Sequence, residues 1–438
     1  MYYKDDLSNK VQLFLRESST KSYVFLQFIL FDNLGTRTAG KRWIQSFEPY
    51  AFKYMKIIYK GDAHITPSLI SLENDQTDFV SVEGDGKFMR VFNVARNSFR
   101  QNAVDVFMDC PGRERAGWLC DSYFIAKAER LFTGKNTIER AFLENIILSD
   151  TEELPKDMLP MCYPSQFRKD LYIPNWAMWF VVELKEYLDR TGDRELVERA
   201  KNRVYQLLGF FEKYVNEYGL LENLEGWVFV EWSVCNTPEY IAGVNFPSNM
   251  LFVYMLDCVD ALYGDKALKV RAERIREMIT SLSYDGSFFA DNAVRIDGKL
   301  VRCKDHVSET CQYYALFLGL RPDDLFAKKM IMEFGPLRKE NVYPEIGRSN
   351  MFIGNYLRFF WLCEEGEYSR VLNEMLEYFA TMAERTGTLW EHDRPNASCN
   401  HGFTSVAAVL MLRCTVGYQT VKDGKPIFPT VHTTIIMA

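Results

Sequence analysis

Residues 175–217 read NWAMWFVVELKEYLDRTGDRELVERAKNRVYQLLGFFEKYVNE, and their pattern decides the fold. Apolar side chains recur every three or four residues up to Leu188 and again from Leu196 onward, the period of an α-helix. Only TGD (191–193) separates the two runs. Gly192 suits a left-handed C-cap, and the Asp193 carboxylate suits the start of the next helix. So short a turn joins antiparallel neighbours and nothing else. YGD (263–265) and EEGEY (364–368) repeat the device.

Working outward, helical runs fall near 88–107, 118–132, 136–149, 175–190, 194–217, 247–262, 265–283, 306–318, 322–333, 349–363, 367–385 and 401–413. These make six hairpins. The expected fold class is therefore mainly α, with an (α/α)6 barrel over 86–415. An irregular helical domain or a solenoid would show the same count, although no fixed repeat period supports an array. Residues 1–85 differ. KSYVFLQFIL (22–31) and residues 42–59 are rich in aromatic and β-branched side chains, and 64–83 could add strands around Pro67, so this part reads as a β-rich region. A β-like tail, 416–438, carries the turn KDGKP.

Composition limits the function. With 438 residues, 47% hydrophobic and 25% charged, the chain can bury a large core. A net charge of −7 and the lack of any Lys/Arg run argue against nucleic acid as a partner. Aromatics, at 15%, both pack cores and stack on sugar rings. Ten scattered cysteines form no C-x-x-C, and Cys258, Cys311 and Cys363 sit in apolar runs as buried thiols would, which suits a reducing compartment. VFLQFILF (24–31) is too short to span a membrane, and no signal segment precedes it; the expectation is a cytoplasmic protein without a membrane partner. Phosphate-binding glycine motifs and G-x-S-x-G are missing, and His306 has no matching metal-ligand partner, so neither cofactor nor metal is expected.

Chemistry concentrates in two places. DCPGRERAGWLCD (109–121) holds Asp109, Arg113, Glu114, Arg115, Trp118 and Asp121, in a loop broken by Pro111 and Gly112. TLWEHDRPNASCNHGF (388–403) holds Trp390, Glu391, His392, Asp393, Asn400 and His401. Each has a plain structural reading: a solvated charged loop for the first, and packing by Trp390 with helix capping by Asn400 for the second. Yet Trp118 interleaves with the charges of the first loop, as the wall of a sugar pocket would. Glycoside hydrolysis needs two carboxyl groups across one bond, one protonated and one ionised. A helical toroid brings distant loops together at one end.

DCPGRERAGWLCD, with TLWE and NHG after it, resembles the catalytic signature of the α-L-rhamnosidases of glycoside hydrolase family 78. PNWAMWFVVELKEYLDRTGD (174–193), GWVFVEWS (226–233), SETCQYYALFLGL (308–320) and IGRSNMFIGNYLRFF (346–360) extend the resemblance over roughly 88–415. The resemblance implies an (α/α)6 barrel and an inverting reaction. Glu114 would then be the general acid and Glu391 the base. Asp109 and Asp121 would bind sugar hydroxyls, Trp118 would form an apolar wall, and His401 would meet a hydroxyl near the base. The acid loop is a shorter variant, with Arg113 directly before Glu114. Glu231 stands before Trp232 where the family often has Asp, which bears on sugar preference. The family's β-domains would survive here only as remnants.

Further candidates for a sugar subsite are Trp176, Trp227, Glu231 and Trp232, with core packing the competing role for Trp176 and Trp179. The expected activity is inverting, exo-acting hydrolysis of a terminal α-L-rhamnose from a carbohydrate partner. The alternatives are a related six-hairpin glycosidase for another sugar and a non-catalytic sugar-binding homologue. The two carboxyls are expected to lie about 6.5–9.5 Å apart. Oligomeric state is not legible.

Overall fold

The computed structural model describes residues 10–16, 23–29, 49–52, 54–58, 66–149, 152–165, 170–394, 397–418, 421–422, 425–426 and 434–436. Its helices are Gly86–Asn102 (α1), Asp121–Thr133 (α2), Thr137–Leu148 (α3), Pro174–Thr191 (α4), Arg194–Phe211 (α5), the single turn Pro238–Ile241 (α6), Phe246–Tyr263 (α7), Lys266–Ser283 (α8), Glu309–Phe317 (α9), Asp324–Glu333 (α10), Gly354–Glu364 (α11), Tyr368–Thr386 (α12) and Val406–Val416 (α13).

Burial sorts the twelve long helices into two sets. On α2, α4, α7, α9, α11 and α13 most residues are buried, whichever way they face. The partners α1, α3, α5, α8, α10 and α12 bury one stripe and expose the rest. A helix apolar all round must be interior, and one with a single stripe lines the outside. The interior helices touch in the order α2, α4, α7, α9, α11, α13, and α13 touches α2 again. That last contact closes the ring and decides for the (α/α)6 barrel over a solenoid. Phe124 sits where the ring converges, against Tyr123, Trp179, Tyr356, Phe360 and Phe403.

The turns behave as their residues require. Gly192 and Gly264 cap α4 and α7 in the left-handed region at φ 73° and 75°. Asp193 accepts from the Leu196 amide as the N-cap of α5, one position earlier than a first-turn residue. Such short links lead from interior to exterior helices. The links leading back inward, such as 103–120, 149–173, 212–245 and 387–405, are much longer. All the long loops therefore gather at the N-terminal ends of the interior helices. Loops of that length have room for a binding site, which short turns lack.

The strands form small sheets. Lys10–Arg16 (β1) pairs antiparallel with Tyr23–Ile29 (β2) and with Tyr54–Ile58 (β3), in the order β2-β1-β3. Of the stretch expected to be strand at 42–59, residues 42–48, 53 and 59 lie outside the described residues. Among described residues of 64–83 only Ser81–Glu83 (β4) is strand. The tail does join the N-terminal side. Val421–Lys422 (β8) and Lys425–Pro426 (β9) pair across the KDGKP turn, and Thr434–Ile436 (β10) runs parallel to β4. One sheet was not foreseen: Val244–Asn245 (β5), Asn292–Ile296 (β6) and Lys299–Arg302 (β7). Its signal was the Asp297-Gly298 turn, with φ 47° and 77°, the pair that favours a two-residue hairpin. No helix among the described residues is long and apolar enough to cross a membrane.

Candidate active site

Residues 109–121 lead into α2 and residues 387–405 lead into α13, and these two helices are neighbours. The loops are stitched together by backbone: the Gly402 amide donates to the Asp109 carbonyl at 2.7 Å. Glycine is required there, because a Cβ on Gly402 would lie 2.5 Å from the Met108 carbonyl oxygen and 2.8 Å from Ile125 Cδ1. The first loop is locked on its other side as well. The Leu119 amide donates to Met161, and Tyr163 to Gly117, so 117–119 runs as a short ladder beside 161–163. Arg115 reaches back to the Pro49 carbonyl at 2.9 Å. Arg115 and Cys120 both hold positive φ, 52° and 72°, conformations that side chains resist and that surrounding structure must enforce.

This framework brings Glu114 and Glu391 to one guanidinium. Arg113 Nε lies 3.4 Å from Glu114 Oε1, and its Nη2 lies 3.7 Å from Glu391 Oε2. The small planar guanidinium keeps those carboxylate oxygens within about 9–10 Å of each other, a bound that accommodates an inverting pair and equally a retaining one.

The two carboxyls are pushed in opposite directions. At Glu114, burial and the nearby Glu391 charge raise the pKa and outweigh Arg113. At Glu391, burial alone would raise it. The His401 and His392 imidazoles, the Ser398 amide and Arg113 outweigh burial and hold it below the usual range. His401 is itself driven down to about 4 by burial and is neutral at neutral pH. There the ionised state of Glu391 rests on Arg113 and on two direct donors, the Trp232 indole at 2.8 Å and the Ser398 amide at 3.2 Å.

Around the pair stand groups with spare capacity. Asp109 takes the Ala116 amide on Oδ1, while its buried Oδ2 has no protein partner. Burial raises its carboxyl to about 6. Asp121 is likewise raised well above its usual range, by burial and by the Asp109 and Glu391 charges, and it lies 3.6 Å from His401 Nδ1. Trp118 is buried beside them. Among the described residues no three His, Cys, Asp or Glu side chains stand together as a metal-ligand set.

The other sequence candidates divide. Trp232 belongs to the cluster through Glu391, and Trp227 packs on it at 6.2 Å. Trp176 is buried behind the wall, against Phe229 and Phe352, and Trp179 is core between Tyr123 and Phe124. Trp390 turns away, its indole bonded to Thr386 and its face under Arg385. Asn400 caps nothing; it accepts from Asn102 and donates to Gln101 at the end of α1.

Glu231 needs a correction. It is fully buried, and its carboxylate accepts from the Thr310 and Ser349 hydroxyls and from the Asn350 and Gly354 amides. A carboxylate so enclosed holds the 349–354 turn in place and has no face left for a sugar. Phe352 and Phe229 carry no individual signal in the sequence, and His392 is marked there only by its place beside Glu391. Phe352 lies edge-on to His401, and Trp232 lies edge-on to His392. A lone Phe in an apolar run carries no signal that separates wall from core.

Comparison with known proteins agrees with this fold. Residues 80–405 match the family model described as the bacterial alpha-L-rhamnosidase 6 hairpin glycosidase domain. The chain belongs to that family. Its fold is shared with solved rhamnosidases. The family 78 rhamnosidase of Bacillus sp. GL1 is 18% identical with a TM-score of 0.74, over 93% of this chain and 43% of that one. The Klebsiella oxytoca rhamnosidase with rhamnose bound is 16% identical with a TM-score of 0.70, over 95% and 84%. The Streptomyces avermitilis α-L-rhamnosidase complexed with L-rhamnose is 15% identical with a TM-score of 0.64, over 94% and 40%. This chain thus spans less than half of the Bacillus and Streptomyces enzymes. No curated protein matches it. The six-hairpin glycosidase domain is therefore the setting in which Glu114 and Glu391 are to be understood.

Proposed function

We propose that this chain is an exo-acting, inverting glycosidase that removes a terminal α-L-rhamnosyl group. The observation that carries the reading is the opposed tuning of two glutamates at one cation. Glu114, raised, keeps a proton to give to the leaving oxygen; Glu391, lowered and held by Trp232 and Ser398, stays ionised to take a proton from water. Asp109 Oδ2 and His401 Nδ1, buried without a hydrogen bond, are the atoms that sugar hydroxyls would satisfy. Trp118 and Phe352 supply the apolar side that a 6-deoxy sugar's methyl group needs. The bound rhamnose of two relatives supports the choice of sugar.

Glu231 no longer argues for a different sugar, since its carboxylate serves the scaffold. Retention of both glutamates in an asymmetric field weighs against a purely binding role. The test is turnover of p-nitrophenyl α-L-rhamnoside by wild type, Glu114→Gln and Glu391→Gln, with NMR of the first-formed product. Expected are losses of several orders of magnitude in both variants and release of the β-anomer. Full activity in either variant, or the α-anomer as first product, overturns the assignment.

A further inference from the structure

The catalytic reading leaves a second chemical feature of the barrel unused. Near the C-terminal ends of α11 and α13, Cys363 Sγ and Cys414 Sγ lie 3.7 Å apart. This is the end opposite the long loops, so the pair is remote from Glu114 and Glu391. The two helices are neighbours on the interior ring but belong to different hairpins, with α12 between them in sequence. Cys363 is buried and Cys414 is partly exposed, so a small solute can reach the pair from one side.

We infer that Cys363 and Cys414 form an oxidative modification site, a dithiol that a peroxide converts to a disulfide linking the fifth and sixth hairpins. Closure from 3.7 Å to the ~2.05 Å of a disulfide is within reach of side-chain rotation and small helix adjustment. The surroundings favour it. The Cys414 thiol hydrogen-bonds Cys363 and, with the Arg413 guanidinium, draws Cys363 toward the thiolate, whereas burial pushes Cys120, Cys162, Cys258 and Cys311 the other way. Arg413 is held in place by Glu364 at 2.6 Å. Thiolates, not thiols, attack peroxide.

The chemistry balances. One thiolate of the pair attacks a peroxide oxygen; the O–O bond breaks, giving a sulfenic acid and hydroxide. The second sulfur then attacks the sulfenic sulfur; the S–S bond forms, the S–O bond breaks, and hydroxide leaves. The protons of the two thiols turn both hydroxides into water. Two thiols are oxidised by two electrons and one hydrogen peroxide is reduced. The closed loop spans 363–414, so the link removes much freedom from the unfolded chain and stabilises the barrel.

The experiment treats the full chain with hydrogen peroxide and, separately, with the thiol oxidant diamide. Free thiols are then counted, and tryptic peptides are mapped without reduction. Expected are loss of two of the ten thiols, one peptide joining Cys363 to Cys414 and a Tm higher by about 3–6 °C, all reversed by a dithiol reductant. Cys414→Ser, at the partly exposed position, preserves the fold and abolishes the link and the Tm gain; Cys363→Ser does the same if it folds. Retention of all ten thiols, sulfinic acid at one cysteine without a crosslink, or a Tm gain that survives in Cys414→Ser overturns the inference.

Discussion

Replacing Trp232 with Phe isolates the field that keeps Glu391 ionised. Phenylalanine keeps an aromatic ring facing Phe229, whose ring lies 4.7 Å from that of Trp232, and deletes the indole N–H that donates to Glu391 at 2.8 Å together with the rest of the five-membered ring. A hydrogen bond to a charged group contributes about 1.5–3 kcal/mol. Glu391 is 5% exposed, so screening is weak, but water on the substrate side can replace the lost donor. The low end applies, and about 1.4 kcal/mol corresponds to one pH unit. The acid limb of the kcat/KM profile should therefore move up by about one unit. The alkaline limb, set by Glu114, should stay. On the plateau the rate should fall by no more than about tenfold, since a base of higher pKa is still a base. The sign for stability follows from the same shift. A carboxyl whose folded pKa is depressed adds stability above its unfolded pKa, and this is lost as pH falls through the folded value. Trp232→Phe should narrow that gain at neutral pH. The assay is the pH dependence of kcat/KM on an aryl α-L-rhamnoside, with circular dichroism to confirm folding. An acid limb that does not move, in a folded variant, refutes Glu391 as the ionised partner.

Three other changes test separate parts of the site. Asp109→Asn keeps an acceptor for Ala116 but removes a carboxyl whose folded pKa is raised to about 6, so ionised Asp109 costs stability above that pH and the cost fades below it. The variant should lose activity yet be more stable at pH 8, by about 1–3 kcal/mol, with the gain shrinking between about pH 6 and 4 and little left below about pH 4; an equal gain at pH 8 and below about pH 4 would contradict the assignment. Gly402→Ala should force the two loops apart at the Met108 carbonyl and lower kcat by tenfold or more with a smaller loss of stability, and wild-type kinetics would show that the stitch is not needed. Glu231→Gln presents an NH2 group to donors and should cost about 2–4 kcal/mol in urea unfolding; a change in sugar preference without destabilisation would return Glu231 to the substrate.

Local pattern carried most of the architecture. Helix periods and glycine turns such as Gly192 and Gly264 depend on neighbours within a few residues, so they were legible, and the twelve runs correspond to the twelve long helices. Asp297-Gly298 is an equally local hairpin signal, lying between the helical runs at 265–283 and 306–318. Residue type nominated Glu114 and Glu391 through their motifs. It could not separate Trp232, which donates to Glu391, from Trp390, which bonds Thr386, because both read as Trp beside an acid.

Chain composition and spacing thus specified which segments coil, where they reverse and which carboxylates are chemically eligible. The contact of α13 with α2, the Gly402–Asp109 bond, the backbone donor from Ser398 and the enclosure of Glu231 arise between segments up to hundreds of residues apart. Desolvation and charge–charge interaction depend on distance in space, so the opposed pKa shifts of two identical side chains emerge only when packing has placed them around Arg113.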